Sequence, residues 1–219
     1  MIKDKLLIIG GTGFIGTHLT EEATKKNYAV TVLHFKKKII SKKISNVKYI
    51  QCNLNNKKNL LEILKKNKFY YIINASGYID HSRLSENGKN IIQTHLTAVQ
   101  NLIIGARESC NIKNFIQLSS SDVYLPSNNK QKEDFREKPS SIYSYSKLSI
   151  DMFLQTLFRS EKYPSVIFRI FLTYGEYQKH DRLIPYIIKS ALNNKIIKIS
   201  NPNEIRDFIH VSEVTKIII

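Results

Sequence analysis

The chain has 219 residues, of which 42% are hydrophobic and 24% charged, a composition typical of a soluble globular protein with a full core. The apolar run Leu6–Ile9 is too short for a signal-peptide core or a membrane span, so we expect a cytoplasmic protein with no membrane partner. Cys52 and Cys110 lack metal-ligand spacing, which argues against a metal site or a disulfide.

The net charge of +16 is compatible with binding to nucleic acid or to an anionic membrane surface. However, the lysines are scattered among asparagines and isoleucines, and the densest runs lack the interleaved aromatic residues of a single-strand-binding groove. We therefore interpret the charge as a solvated surface and predict no nucleic-acid partner. A polyanionic cofactor or substrate would also benefit from this positive field.

Short apolar strands alternate with amphipathic helices along the chain. The first unit is a strand at Lys5–Ile9, a glycine turn, a helix from about Phe14 to Lys26, and a strand at Ala29–Phe35. Repetition of this pattern predicts an α/β fold, with a doubly wound parallel sheet covered by helices on both faces. The later predicted strands are Val47–Cys52, Phe69–Asn74, Asn114–Leu118 and Ser165–Phe171, and the later helices are Lys57–Lys66, Asn90–Ser109, Tyr143–Ser160 and one capped by Ser212.

The segment GGTGFIG places Gly10, Gly13 and Gly16 directly after the first strand and at the start of the first helix. Glycines permit a tight turn and a close backbone approach, while a helix N-terminus presents free N–H groups and a partial positive charge to a pyrophosphate. In this context the loop predicts a dinucleotide site. A glycine-rich turn that binds no ligand is the alternative.

The end of the second strand bears on which dinucleotide binds. A carboxylate there would accept hydrogen bonds from the adenosine ribose, but this strand exits through His34 and Phe35 into Lys36, Lys37 and Lys38. A cationic run can instead hold a 2′-phosphate. We therefore expect NADP to be preferred, with NAD possible; the alternative is that these lysines are solvated and the backbone alone binds the ribose.

The segment SIYSYSKL contains one tyrosine that can share a helix face with a lysine. Tyr143 and Lys147 are four residues apart, whereas Tyr145 is two from that lysine and points elsewhere. A lysine beside a phenol favours the phenolate, so a pKa lowered from about 10 to near 7 would let Tyr143 exchange a proton. The spacing alone is also compatible with chance or with a plain surface helix.

Five motifs occur in order along the chain, namely GGTGFIG, LSSSDVY, YSYSK, RIFLTYG and RDFIHV. Together they resemble the extended short-chain dehydrogenase/reductase family, which contains nucleotide-sugar epimerases, dehydratases and reductases of surface-polysaccharide chemistry. The resemblance implies a Rossmann domain over residues 1–172 that binds NAD(P), and a substrate region over residues 173–219 that grips a nucleoside-diphosphate sugar. It also implies a homodimer through the helices around residues 90–109 and 143–160.

The resemblance assigns roles to individual residues. Ser120 would bind the sugar oxygen, Tyr143 would pass a proton to or from it, and Lys147 would hold the nicotinamide ribose. The implied cofactor contacts are Gly10, Gly13, Phe14, Ile15, Gly16, His34, Lys36, Asn53, Leu54, Ala75, Ser76, Gly77, Tyr143 and Lys147, and the implied substrate contacts are Ser120, Ser121, Asp122, Leu172 and Arg206.

Departures from the family pattern narrow the set of reactions that the chain is expected to catalyse. Sugar 4,6-dehydratases carry an Asp–Glu pair where this chain has Ser121 and Asp122, which argues against dehydration. Hydride transfer at a 4-keto group is favoured, with an epimerase as the alternative. Leu172 and His95 stand where relatives commonly have asparagines, and the sequence suggests no role for His95. Family members usually continue well past RDFIHV, so a non-catalytic dinucleotide-binding or redox-sensing protein is an alternative of another class.

Overall fold

The computed structural model describes residues 4–35, 42–125, 127, 129–199, 201, 203 and 205–219. Its main feature is a six-stranded parallel sheet with the strand order β3-β2-β1-β4-β5-β6. The strands are β1 Lys5–Ile9, β2 Ala29–His34, β3 Lys48–Gln51, β4 Tyr71–Asn74, β5 Asn114–Ser120 and β6 Ser165–Ile170. Each lies at a predicted strand, with bounds that differ by no more than two residues.

The helices are α1 Phe14–Lys25, α2 Lys57–Asn67, α3 Lys89–Ile92, α4 Ala98–Ser109, α5 Ile142–Glu161, α6 Leu183–Leu192 and α7 Val211–Ile218. Two π-helical turns, Leu84–Gly88 and Gln93–Thr97, flank α3 and run on into α4. This helical stretch therefore begins earlier than the predicted Asn90. π-turns are rare and concentrate at functional sites, so the residues of the second turn are candidates for the functional site.

Two apolar clusters cover the two faces of the sheet. Side chains of α2, α4 and α5, among them Leu64, Leu102 and Ile150, pack on one face. On the other face lie side chains of α1 and α7, among them Leu19 and Val214. The predicted doubly wound sheet with helices on both faces is confirmed.

The strand order reverses between β1 and β4. From β1 the chain moves outward to β2 and β3, and it then crosses to the other side of β1, where β4, β5 and β6 follow. Ile9 is aligned with Asn74 in this pair, so the loops that begin at Gly10 and Ala75 leave the sheet side by side. In doubly wound sheets such a reversal opens a crevice in which ligands bind.

A second, two-stranded parallel sheet follows β6. Its strands are β7 Leu172–Tyr174 and β8 Phe208–His210, with α6 between them in sequence, and the sequence analysis predicted none of the three. The prediction that Ser212 caps the last helix is wrong. His210 is the N-cap of α7, because its Nδ1 accepts the backbone N–H of Ser212 at 3.3 Å. Across the described part of the chain, no helix is long and apolar enough to span a bilayer.

Candidate active site

The glycine loop brings the ends of β1 and β4 into direct contact. Gly10 has φ +74°, and a Cβ there would lie 2.8 Å from the carbonyl oxygen of Ala75 and 2.9 Å from Cα of Ser76. A Cβ on Gly16 would lie 2.1 Å from the carbonyl oxygen of Gly10. Glycine is therefore required at both positions, as expected for a turn that passes closely under a ligand.

The N-terminus of α1 opens into the same crevice. Gly13 is its N-cap and has no side chain to accept the first-turn N–H groups, which have no partner within a helix. Phe14 and Ile15 begin the helix, and Ile15 packs against the apolar cluster shared by α1 and α7. This uncapped, glycine-lined helix end fits a pyrophosphate.

The other predicted cofactor contacts follow the carboxyl ends of neighbouring strands. His34 ends β2, and Asn53, which follows β3, is exposed and accepts the Asn55 N–H at 3.0 Å. Leu54 is buried in the apolar core, and packing alone explains an apolar residue at this position. The predicted contact Lys36 lies outside the described residues.

Ser120 and Tyr143 are brought together by the end of β5 and the start of α5. The Ser120 Oγ accepts the backbone N–H of Asp122 at 3.2 Å, and the Ser120 side chain lies close enough to Tyr143 to act on its pKa. Ser141 caps α5 by accepting the Ser144 N–H at 3.1 Å, which fixes the turn that carries Tyr143. The other tyrosine of this segment, Tyr145, is 50% exposed.

The expected lowering of the Tyr143 pKa is wrong. Burial raises the pKa of Tyr143 to about 12, although the hydrogen bond from Ser120 opposes this shift. Lys147 directs its Nζ to the Leu118 carbonyl oxygen at 3.0 Å, and its own burial lowers its pKa to about 8. Tyr143 therefore keeps its proton near neutral pH and is chemically a donor.

A buried carboxylate lies one helical turn beyond Lys147. Asp151 has no exposed surface, and its Oδ2 accepts the Ser119 hydroxyl at 2.8 Å and Arg169 Nε at 3.3 Å. Burial raises the pKa of Asp151 to about 6, against these hydrogen bonds and the positive charges of Arg169 and Lys147. Neither Asp151 nor Arg169 was predicted as a site residue, although Asp151 is four residues from Lys147 and Arg169 begins the RIFLTYG motif.

His95, which had no role in the sequence analysis, packs against Tyr143. The two rings meet edge to face, with centroids 5.3 Å apart, and His95 is 2% exposed. Its Nε2 faces the Tyr78 N–H at 3.5 Å, and a Cβ on Gly77 would lie 2.4 Å from the ring. Burial and the charge of Lys147 lower the pKa of His95 to about 3, so it is a neutral wall of the site.

Polar side chains from outside α5 also lie near Tyr143. The ring of His81 lies 5.5 Å from that of Tyr143, and its Nε2 lies 3.9 Å from Asp122 Oδ2. Asp122 acts to raise the pKa of Tyr143 and Arg182 acts to lower it. The sequence analysis identified neither His81 nor Arg182, because they lie far from Tyr143 in sequence and in no family motif.

The predicted substrate contacts fall into two groups. Ser121 and Asp122 form the short turn after β5, directly beside Ser120. Leu172, in β7, and Arg206, just before β8, are exposed and belong instead to the small second sheet. Within the described ranges, no group of three or more His, Cys, Asp or Glu side chains could hold a metal ion.

Curated relatives match nearly the whole chain in sequence. The chain is 28% identical to a dTDP-D-glucose 4,6-dehydratase of Dictyostelium discoideum, over 96% of this chain and 53% of that protein. It is 26% identical to Protein CapI of Staphylococcus aureus, over 98% of this chain and 68% of that one. The chain thus spans between about half and 70% of the length of these relatives.

Solved structures with the same fold also match nearly the whole chain. A UDP-N-acetylglucosamine 4-epimerase from Methanobrevibacter ruminantium M1, in complex with UDP-N-acetylmuramic acid, superposes with a TM-score of 0.86 at 26% identity, over 99% of this chain and 72% of that one. A dTDP-glucose 4,6-dehydratase from Bacillus anthracis in complex with NAD superposes with a TM-score of 0.85 at 21% identity, over 98% of this chain and 70% of that one. The sequence profile of the NAD dependent epimerase/dehydratase family matches residues 6–219, and this chain belongs to that family.

Proposed function

We propose that this chain binds NAD(P) and a nucleoside-diphosphate sugar, and that it transfers hydride at a keto group of the sugar, most simply at C4. The proximity of Ser120 and Tyr143 carries this proposal, because the two side chains lie beside buried Lys147 at the end of the strand next to the β1–β4 crevice. Relatives with related folds were solved with NAD and with UDP-sugars.

The residues divide the work between cofactor and substrate. The glycine loop and the N-terminus of α1 would hold the pyrophosphate, and Lys147 would hold the nicotinamide ribose. Bound NAD(P) supplies or accepts the hydride. Tyr143, which stays protonated, would donate its proton to the sugar oxygen, while the Ser120 hydroxyl would bind the same oxygen and orient it.

We also propose that the chain prefers NADP to NAD. This preference is supported by the lack of an acid at the end of β2, where His34 and Phe35 lead into three lysines. The dTDP-glucose 4,6-dehydratase structure named above contains NAD, so a preference for NADP would set this chain apart from that relative.

Replacing Tyr143 tests the mechanism, and Tyr145 provides a matched control on the same helix. Tyr143→Phe removes the proton donor and should slow NADPH oxidation with dTDP- or UDP-linked 4-keto-sugars by about a hundredfold or more, while the dissociation constant for NADPH stays unchanged. Tyr145→Phe changes an exposed ring and should retain the wild-type rate. A Tyr143→Phe variant with wild-type turnover would refute the proposed role.

Two alternatives make different predictions. An epimerase would use the same residues, and product analysis by NMR would then show an inverted sugar without net consumption of the cofactor. A non-catalytic dinucleotide-binding protein would bind the cofactor at the glycine loop without acting on a sugar. Turnover of any nucleotide sugar would exclude it. The division at residues 172 and 173 into a Rossmann domain and a substrate region belongs to the same proposal.

A further inference from the structure

We propose that the edge of the main sheet opposite the crevice carries a basic face that docks on an anionic membrane surface. The basic face consists of five exposed lysines, Lys5, Lys48, Lys65, Lys66 and Lys68. Such docking does not depend on the proposed function, because the crevice lies at the other edge of the sheet. It also needs no membrane-spanning segment, so it differs from the span that the sequence analysis excluded.

The fold gathers lysines that are scattered in the sequence. In a parallel sheet covered by helices, each helix ends at the edge where the next strand begins, so the end of α2 lies near the first residues of β1 and β3. Asn67, the last residue of α2, joins these elements. Lys5 Nζ donates to the Asn67 carbonyl oxygen at 2.8 Å, and Lys48 Nζ donates to Asn67 Oδ1 at 3.0 Å. Two ammonium groups thus meet at one neutral residue, beside the lysines at the end of α2.

Acidic residues do not balance this charge. The helix ends and strand starts at this edge are residues 4–5, 25–29, 48, 65–71, 107–114 and 159–165, and their acids are Asp4, Glu108 and Glu161. Their basic residues are Lys5, Lys25, Lys26, Lys48, Lys65, Lys66, Lys68, Arg107, Lys113, Arg159 and Lys162. Asp4 pairs with Lys113, and Glu161 pairs with Arg107. Among the described residues, no carboxylate forms an ion pair with a lysine of the basic face.

The helix dipole does not account for the whole face. Lys65 and Lys66 lie in the last turn of α2, where a cation complements the dipole. Lys5 and Lys48 instead begin strands, and sheets have only small net dipoles. The crevice edge shows that one sign of charge is not general, since its loops 75–83 and 129–141 mix acids with bases, namely Asp80, Glu133, Asp134 and Glu137 with Arg83, Lys130, Lys132, Arg136 and Lys138.

The tyrosines at this edge favour a lipid surface over a single-stranded nucleic acid. Single strands are held by bases that stack on free aromatic rings. Lys113 Nζ lies 5.0 Å from the ring centroid of Tyr70 and 5.7 Å from that of Tyr71. Tyr28 packs edge to face on Tyr71, with centroids 5.8 Å apart. These rings already have partners, whereas a row of exposed lysines along the strand starts matches a plane of lipid phosphates, to which each lysine adds attraction.

Vesicle co-sedimentation of the full chain tests the basic face. The vesicles contain equal parts of phosphatidylglycerol and phosphatidylcholine, or phosphatidylcholine alone, and we expect binding to the anionic vesicles only, with loss at high salt. The triple variant Lys48→Gln, Lys65→Gln and Lys66→Gln should bind about tenfold more weakly or worse. The matched control is the triple variant Lys130→Gln, Lys132→Gln and Lys138→Gln, which lowers the net charge equally at the crevice edge and should bind as wild type does.

The two triple variants separate a localised face from a general effect of net charge. Absence of binding to the anionic vesicles, or equal weakening by both triple variants, would overturn the basic face as a docking surface. Binding of the wild type to single-stranded poly(U), without binding to vesicles, would assign the charge to nucleic acid and overturn docking on lipid. All six substituted lysines are exposed, so thermal melting of the variants should stay close to wild type, and a loss of vesicle binding would not reflect unfolding.

Discussion

Burial distinguishes the two histidines beside Tyr143. His95 is enclosed by Tyr143, Tyr78 and the backbone of Gly77, and it stays neutral. The His81 side chain is half exposed and lies beside the Asp122 carboxylate. Burial likewise raises the pKa of Tyr143, so a lysine four residues away does not by itself produce a phenolate.

The low pKa of His95 predicts a pH-dependent cost of replacing it. The pKa of folded His95 is about 3, and the unfolded chain has the ordinary value of 6.5, so the unfolded state binds the proton first as the pH falls. Wild type therefore loses stability from this group below pH 6.5, whereas His95→Asn has no such loss. The destabilisation caused by His95→Asn should be roughly 2 kcal/mol smaller at pH 5 than at pH 7.

Urea denaturation at both pH values checks this expectation. Val99→Ala is the matched control, since Val99 is buried in the neighbouring helix α4 and does not titrate. The difference in unfolding free energy between Val99→Ala and wild type should be the same at both pH values. A constant difference for His95→Asn as well would show that His95 is not held neutral by its surroundings.

The resemblance to the family motifs selected Ser120, Tyr143 and Lys147, and the fold places Ser120 near Tyr143. It did not select His81, Asp151 or Arg169, because their proximity depends on how strands and loops pack. Asp151 and Arg169 meet only because α5 crosses the face of β6. Motifs therefore predicted the residues that lie close together in sequence, and missed those that only tertiary packing assembles.

At the scale of elements, the turn between β1 and α1 is the most constrained. In Gly16→Ala the new Cβ would collide with the Gly10 carbonyl oxygen, so the loop must shift, and we expect a loss of about 1–3 kcal/mol of stability. NADH binding should weaken at least tenfold, because the same loop is proposed to hold the pyrophosphate. Denaturant unfolding and a fluorescence titration measure the two effects.

Gly88→Ala is the control for this substitution. Its Cβ would lie 3.0 Å from the flexible end of Leu84 and 3.2 Å from the Arg83 carbonyl oxygen, a much milder crowding than at Gly16, and it replaces a glycine with a better helix former. Its stability should stay within about 1 kcal/mol of wild type, with unchanged NADH affinity. Wild-type NADH affinity in Gly16→Ala would contradict the assignment of this loop.

The strands and helices of the main sheet could be predicted because each apolar run is bounded by turns or charged residues. β7 and β8 could not be predicted, because each has only three residues, too few to show an alternating pattern. The π-turns were also missed, because the apolar periodicity expected there was that of an α-helix. The N-cap of α7 was misplaced since a histidine ring nitrogen, rather than a serine hydroxyl, accepts the N–H group.

At the scale of the whole molecule, the outer surfaces of α4 and α5 support the proposed homodimer. Ile104, Met152 and Phe158 are 48%, 46% and 52% exposed on these helices. Phe158→Glu would place a charge in such an interface and should convert a dimer to a monomer in light-scattering measurements. Ile217→Glu, on α7, is the control and should leave the mass at twice that of one chain. A wild-type monomer would contradict the dimer.

The central claim is that this chain holds a nicotinamide dinucleotide across the glycine loop and Lys147, and a fluorescence titration with NADPH and NADH tests it most directly. We predict saturable binding of both, with NADPH tighter, and at least tenfold weaker binding in Lys147→Met, with exposed Lys162→Met as an unaffected control. A wild-type chain that binds neither dinucleotide, or a Lys147→Met variant that remains folded and binds both as wild type does, would contradict the account.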